Sequence, residues 1–115
     1  MQALFLVLNR LEKIDELLTT LNEEGIRGAT VINSTGMAHA LANNHEDDLT
    51  FASLRAFFVG NREDNRTIFM VIDDAKVELA KKIINEVIGD LSKPDTGILF
   101  GVPVTFVEGI SDFQK

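Results

Sequence analysis

The segments that the sequence predicts as β-strands are apolar on both of their faces. Residues 3–8, 67–72 and 98–107 carry apolar side chains at nearly every position. Because a strand turns alternate side chains to opposite faces, such strands need apolar cover on both sides of their sheet. Only two segments have the pattern of amphipathic helices, and two helices cover one face of a four-stranded sheet. A second copy of the chain is therefore the expected cover for the other face.

Bulk composition narrows the class of protein. A chain of 115 residues predicts a single domain spanning 1–115, and no apolar run approaches the ~20 residues that cross a bilayer. No basic region precedes the first apolar stretch, as a signal peptide would require, so a cytoplasmic location is expected. Without cysteine, disulfides and thiolate sites are excluded. The net charge of −7 disfavours binding to nucleic acid or to an anionic membrane.

The first half of the chain predicts a strand, a helix and a second strand. After the strand at 4–8, Asn9 is the predicted N-cap of the helix and Glu12 the acid of a capping box. Gly25 is the predicted helix stop, and a β-branched run at 26–33 predicts the second strand. The apolar stripe of this helix is formed by Leu11, Ile14, Leu17, Leu18 and Leu21.

The second half repeats this layout. The strand at 67–72 precedes a helix that is predicted to be capped by Asp73 or Asp74, to continue to about residue 88 and to end at Gly89. Pro103 lies within the final strand at 98–107, which indicates an edge or a bend. The helix has an apolar stripe at Val77, Ala80, Ile83, Ile84, Val87 and Ile88.

This element order predicts an α+β fold. The βαββαβ succession is typical of the ferredoxin-like sandwich, a four-stranded antiparallel sheet with two helices on one face. A long loop at about 37–65 interrupts it, and a loop of that length is usually functional or disordered. The apolar patch at 54–59 fits either a short strand or a helix. Its residues Phe57 and Phe58 favour a local plug over a surface that docks a partner.

Several segments resemble the PII signal-transduction family of small trimeric nitrogen-regulatory proteins. Residues 25–31 (GIRGATV) resemble the family's Gly-Val-x-Gly-Met-Thr-Val, and residues 96–104 (TGILFGVPV) resemble Asp-Gly-Lys-Ile-Phe-Val-x-Pro-Val. Gly36 stands where the family has the first glycine of Gly-Phe-Gly-Arg-Gln. The resemblance covers most of the chain outside the 37–65 loop. It implies a ferredoxin-like homotrimer.

The resemblance also implies a function. Members of the family hold an adenine nucleotide in clefts between subunits and dock a mobile loop onto a partner protein. Thr30, Gly36 and Gly97 match positions that contact the nucleotide, and Met70 matches an apolar residue that abuts the adenine. From local pattern alone, the two glycines serve either tight turns or the close approach of a ligand.

The phosphate-binding residues of the family are replaced in this chain. Its lysine corresponds to Ile98, and the two arginines that clamp phosphates correspond to Gly109 and Ser111. The glutamine that helps to place 2-oxoglutarate and Mg²⁺ corresponds to Ala40, and no tyrosine is present for uridylylation. Each lost cation removes a contact worth roughly 1.5 to 3 kcal/mol. A sensor of another effector, or of a ligand without a polyphosphate, is therefore expected.

Two other functions compete with a PII-like regulator of cytoplasmic signalling. His39, His45 and the acidic residues 46–48 form the one set that suits a metal, which would make the chain a metal- or ion-responsive trimer. A solvated acidic loop explains the same residues. A small enzyme with its site between subunits is the third candidate, although no catalytic residues stand out and the chain is predicted not to be an enzyme.

Overall fold

The chain alternates strands and helices in the order that the sequence predicts. The computed structural model describes residues 1–37 and 65–109. A 3-10 turn precedes each helix, at Leu11–Lys13 and Asp74–Lys76. The regular elements are β1 (Gln2–Leu8), α1 (Ile14–Glu23), β2 (Thr30–Ser34), β3 (Asn65–Ile72), α2 (Val77–Ile88) and β4 (Gly97–Pro103).

The four strands form one antiparallel sheet in the order β2-β3-β1-β4. In the central pair, Phe5 of β1 lies opposite Phe69 of β3, and on its other side Phe5 lies opposite Phe100 of β4. Thr30 of β2 lies opposite Phe69. Strand order and pairing agree with the predicted ferredoxin-like arrangement, and they leave β2 and β4 as the two edge strands.

One face of the sheet packs against both helices. Alternate residues of the central strands lie on this face, and they are almost fully buried. The apolar stripe of each helix lies against them, as the helical periodicity predicts. The core is formed by Leu4, Leu6, Leu8, Ile68, Met70 and Ile72 from the sheet, with Leu17, Leu21, Ile26, Val77, Ala80, Ile83, Ile84 and Ile88.

The opposite face of the sheet, here named the open face, is also apolar. Residues paired across antiparallel strands share a face, so the register assigns its members. Within residues 1–37 and 65–109, neither helix covers it. The apolar residues of the open face are Ala3, Phe5 and Val7 on β1, Ile32 on β2, Phe69 and Val71 on β3, and Ile98, Phe100 and Val102 on β4.

The start of α1 differs from the prediction. Arg10, rather than Asn9, occupies the N-cap position of the first turn, and no side chain caps it. Asn9 contributes its backbone oxygen, which accepts a bond from the N–H of Leu11. The capping box of Asn9 and Glu12 is therefore wrong, because the chain enters the helix through a 3-10 turn that backbone groups close.

Two predicted strands are too long. β2 begins at Thr30 rather than at Ile26, because the N–H of Ile26 binds the Leu21 oxygen at 2.8 Å and its side chain enters the core. β4 ends at Pro103 rather than at residue 107, since its partner strand β1 begins at Gln2 and the last backbone bond between the two segments joins the Val104 N–H to the Met1 oxygen. Pro103 does lie on an edge strand, as predicted.

Both predicted glycine stops are confirmed. Gly25 follows the end of α1 with a φ of 86°, and Gly89 follows α2 with a φ of 100°. Residues with a side chain rarely adopt these left-handed backbone angles, whereas glycine adopts them at little cost and so ends each helix. None of the helices in the described part of the chain is long and apolar enough to span a bilayer.

Candidate functional site at the loop end of the sheet

Three polar side chains meet where the long connection leaves and rejoins the sheet. We name this end of the sheet the loop end; β1 and β2 finish there, and β3 and β4 begin there. Ser34 and Asn65 form the last pair between β2 and β3. Thr67 lies one strand period further along β3, on the same face. These three residues are named the polar cluster.

The polar cluster is joined by side-chain hydrogen bonds. The hydroxyl of Ser34 donates to Oδ1 of Asn65, and the Oγ atoms of Ser34 and Thr67 lie 2.8 Å apart. Because the Ser34 proton is engaged with Asn65, the Thr67 hydroxyl donates to Ser34. Asn65 is only 5% exposed, and a buried amide needs such partners. The cluster thus fixes the two ends of the connection side by side.

Gly36 lies next to this cluster. A Cβ atom on Gly36 would be 3.5 Å from Nδ2 of Asn65, which is ordinary van der Waals contact. The described residues therefore leave room for a Cβ atom at this position. The amide N–H₂ of Asn65 faces that space, and an amide of this kind donates hydrogen bonds to oxygen or ring-nitrogen acceptors.

Gly97 is constrained by the fold itself. It opens β4 with a φ of 157°, and a Cβ atom there would lie 2.5 Å from the backbone oxygen of Val7. That separation is closer than real Cβ contacts, and the atom it meets is backbone. Its glycine is therefore explained by the packing of β4 on β1 without any ligand.

The two glycines occupy the same end of the sheet but opposite edges. Gly97 is level with Leu8 and Arg66, while Gly36 follows the end of β2. Strands are spaced about 4.8 Å apart, so three spacings separate the two edges by roughly 14 Å. One chain does not bring Gly36 and Gly97 into a common site.

The other two predicted nucleotide-binding residues lie further along the sheet. Thr30 begins β2 and is exposed, and six residues at a strand rise of about 3.3 Å place it roughly 20 Å from Gly36. Met70 is 1% exposed and lies in the core beneath the helices. Thr30 pairs with Phe69, so Met70 is adjacent along the chain but points to the other face.

The turn before Gly97 is held by a carboxylate. The backbone N–H of Ser92 donates to Oδ1 of Asp90 at 2.9 Å, and its hydroxyl donates to the same atom at 2.7 Å. The hydroxyl bond is the larger cause that holds the pKa of Asp90 below its ordinary value, followed by the backbone bond. Both bonds favour the ionised form of the carboxyl.

We expect Ser92→Ala to raise the pKa of Asp90 toward the ordinary aspartate value. Since folding lowers this pKa, the stabilisation is present above the unfolded pKa of about 3.9 and is lost as the pH falls through the folded value. An NMR titration of the Asp90 carboxyl measures the change. Ser92→Thr keeps the hydroxyl and is the control. An unchanged pKa in Ser92→Ala would contradict the assignment.

A groove lies on the helix side of the sheet, away from the loop end. It has a volume of about 330 Å³ and is lined by residues of β1, β4 and α2, including Gln2, Leu4, Lys81 and Gly101. An ion pair of 3.4 Å between Lys81 and Glu78 lies at this groove. None of the predicted nucleotide-binding residues lines it. The sequence contains no signal for it, because the antiparallel pairing alone brings β1 and β4 together.

Several predicted residues lie outside the described part of the chain. These are His39, His45 and the acidic residues 46–48 of the metal hypothesis, with the apolar patch at 54–59. Ala40 and Ser111, two of the positions where the PII pattern is replaced, are outside it as well. Among residues 1–37 and 65–109, no group of three or more histidine, aspartate or glutamate side chains is placed to hold a metal ion.

Sequence comparison adds no assignment to this geometry. No protein-family model matches the chain, and no curated protein matches it.

Proposed function

We propose that this protein is a PII-like regulatory protein that assembles as a homotrimer. It binds a small effector in clefts between subunits and signals through the 37–65 segment to a partner protein. The placement of Gly36 and Gly97 supports this proposal most strongly. Both lie at the loop end of the sheet, Gly36 just after edge strand β2 and Gly97 at the start of edge strand β4, so a second copy is needed to bring them together.

The two edges of the sheet favour a closed ring. A contact between β2 of one copy and β4 of the next joins two different surfaces. Such a heterologous contact leaves a free β2 edge and a free β4 edge at the two ends, until rotation closes the assembly into a ring. Each junction in that ring has Gly36, at the end of β2 in one subunit, beside Gly97, at the start of β4 in its neighbour. A ring of three would contain three equivalent clefts.

Of the two glycines, Gly36 is the one that packing does not require, so the close approach of a ligand is the better explanation for it. The fold tolerates a Cβ atom there, whereas at Gly97 a Cβ atom would meet the Val7 oxygen. The buried Asn65 amide faces the same space and donates to acceptor atoms. An effector with carbonyl, carboxylate or ring-nitrogen acceptors fits these groups.

The expected effector lacks a polyphosphate contact. Ile98 takes the place of the family's phosphate-binding lysine, and its side chain is 57% exposed on the open face. An adenine nucleotide with few phosphates, or a different small effector, is therefore favoured over ATP. To signal, the effector must bind two states of the 37–65 segment with unequal affinity.

A thermal-shift screen tests the proposal. ATP, ADP, AMP, cyclic nucleotides and 2-oxoglutarate are each tested with and without Mg²⁺. A ligand at a hundredfold excess over its Kd adds about 2.7 kcal/mol to the free energy of unfolding. For a domain of this size that raises Tm by roughly 10 °C. At least one compound is expected to produce such a shift, and a screen in which none does would overturn the proposal.

The Gly36→Ala variant locates the site. Its own Tm is expected to match that of the unmodified protein, because the fold has room for the Cβ atom. The shift produced by the active compound is expected to be smaller, since the methyl group blocks close approach to the backbone. Glu86→Ala, at an exposed position on α2, is the control and should keep the full shift. Equal shifts in all three proteins would contradict a site at Gly36.

A further inference from the structure

We propose that the groove between α2 and strands β1 and β4 binds a small α-amino acid with an apolar side chain. The groove lies away from the loop end, so this site is distinct from the effector site described above and does not depend on it. Four features of the groove carry the proposal: the glycine that opens it, a side-chain amide beside that glycine, an ion pair on the helix wall and an apolar floor.

Gly101 leaves the groove open on the side of the edge strand. Leu99, Gly101 and Pro103 are the helix-side positions of β4, because they pair with the helix-side residues of β1. A Cβ atom on Gly101 would lie 2.7 Å from Oε1 of Gln2 and 3.1 Å from Cδ2 of Leu4. Gly101 does not have a positive φ, so its backbone conformation does not require glycine. What the glycine provides here is space between the edge strand and α2.

The side-chain amide of Gln2 borders this space. Its Oε1 approaches Gly101, and no hydrogen bond engages the amide within residues 1–37 and 65–109. An amide both donates and accepts hydrogen bonds, so it suits a ligand that carries groups of both kinds. An α-amino acid does so, because its ammonium donates and its carboxylate accepts.

Two opposite charges lie side by side on the helix wall. The Lys81 ammonium is 3.4 Å from a carboxylate oxygen of Glu78, and the two side chains are 47% and 84% exposed. Lys81 would attract a ligand that carries only a carboxylate, but Glu78 would repel it; a ligand that carries only an ammonium meets the reverse. A zwitterion with adjacent charges is complementary to both side chains. Since an exposed ion pair contributes little to stability, a ligand replaces it at little cost.

The floor of the groove is apolar. Leu4 and Val77 line it and are almost fully buried, and Leu99 packs against the same core. The volume of about 330 Å³ lies at the small end of the range for ligand pockets, about 300 to 1,000 Å³. An aliphatic side chain, such as that of valine or leucine, lies against this floor while the charged groups of the ligand remain at the helix wall.

An NMR titration with L-leucine tests the proposal. Backbone amide chemical shifts of the isotope-labelled full chain are followed as leucine is added. Because the charged side chains are exposed, we expect a Kd on the order of 1 mM, and the titration extends to about 20 mM. Saturable shifts are expected at residues that line the groove, including Val77, Lys81, Leu99 and Gly101.

Two analogues of leucine separate its charges. Isocaproate lacks the ammonium group and isoamylamine lacks the carboxylate, while both keep the aliphatic chain. Each is expected to bind at least about fivefold more weakly than leucine, because it repels one of the two charged side chains instead of pairing with it. Equal affinities for all three compounds would overturn the assignment to a zwitterion.

Matched substitutions on α2 and β4 locate the site. Lys81→Gln removes the cation at the groove, whereas Lys82→Gln removes an exposed neighbour that does not line it, with the same change in net charge. Lys81→Gln is expected to raise the Kd for leucine about fivefold, and Lys82→Gln to leave it unchanged within about twofold. Gly101→Ala fills the space beside Gln2 and is expected to weaken binding at least as much as Lys81→Gln. If Gly101→Ala fails to fold, the two lysine variants decide the result.

Three further results would overturn the proposal. They are the absence of saturable shifts with leucine, saturable shifts confined to residues away from the groove, and equal Kd values for the Lys81→Gln and Lys82→Gln proteins. The effector screen is a separate measurement, because it contains no amino acid and concerns the loop end of the sheet. Leucine binding at the groove would support this site whether or not a nucleotide binds at the other.

Discussion

Replacing Gly97 with alanine is expected to lower the free energy of unfolding by about 3 kcal/mol. The new Cβ atom would lie 2.5 Å from the backbone oxygen of Val7, so β4 must move away from β1 or distort. The φ of 157° at this position adds strain for any residue with a side chain. Urea denaturation followed by circular dichroism measures the change, and Tm should fall by roughly 10 °C.

Gly36→Ala is the matched control for this substitution. Its Cβ atom would be 3.5 Å from the nearest atom of the described residues, the Asn65 amide nitrogen, and we expect a change within about 0.5 kcal/mol. The two glycines belong to the same predicted site, but only one of them is required by packing. A Gly97→Ala protein as stable as the Gly36→Ala protein would contradict the close packing of Gly97 on β4 against Val7 on β1.

Truncating Leu6 to alanine is expected to cost about 3 to 4 kcal/mol of stability. Leu6 lies on the central strand β1, opposite Ile68 on one side and Leu99 on the other, and its side chain is fully buried. The substitution deletes buried methyl groups from the core and leaves a cavity beneath the helices. Chemical denaturation gives the free energy of unfolding of the variant and of the unmodified protein.

Val31→Ala serves as the comparison for Leu6→Ala. Val31 also points to the helix side of the sheet, but it lies on edge strand β2 and is exposed. Its truncation should cost less than about 1 kcal/mol, since little apolar area is buried there. Equal costs for the two substitutions would argue against a core centred on β1 and β3.

The fold is predictable from the sequence because apolar residues recur at regular helical spacing in its helices and fill its strands. Leu17 and Leu21 recur at helical spacing and both are buried in α1. On β1, Leu6 enters the core while Phe5 lies on the open face, so a run that is apolar at every position divides between two faces. Among the described residues, the predicted mismatch between strands and helices therefore corresponds to the open face, which neither helix covers.

The errors of prediction arise where backbone geometry competes with side-chain pattern. Ile26 has the β-branched side chain of a strand residue, yet its N–H closes the end of α1 on Leu21. Asn9 has the side chain of a helix cap, but a backbone-closed turn begins the helix instead. Intrinsic preferences are weak compared with such local hydrogen bonds.

The candidate site was only partly predictable. Gly36 and Gly97 were identified from family resemblance, which does not distinguish a glycine required by packing from one that admits a ligand. Ser34 and Asn65 are separated by 31 residues, and sequence spacing alone does not predict that they form a hydrogen bond. The antiparallel register of β2 and β3 brings them together.

The mass of the unmodified protein in solution tests the central claim most directly. Light scattering over a wide range of concentrations should give three chains of 12.7 kDa, or about 38 kDa, because the proposed assembly is a ring of three. A mass of 12.7 kDa at all concentrations would contradict both the assembly and the clefts between subunits.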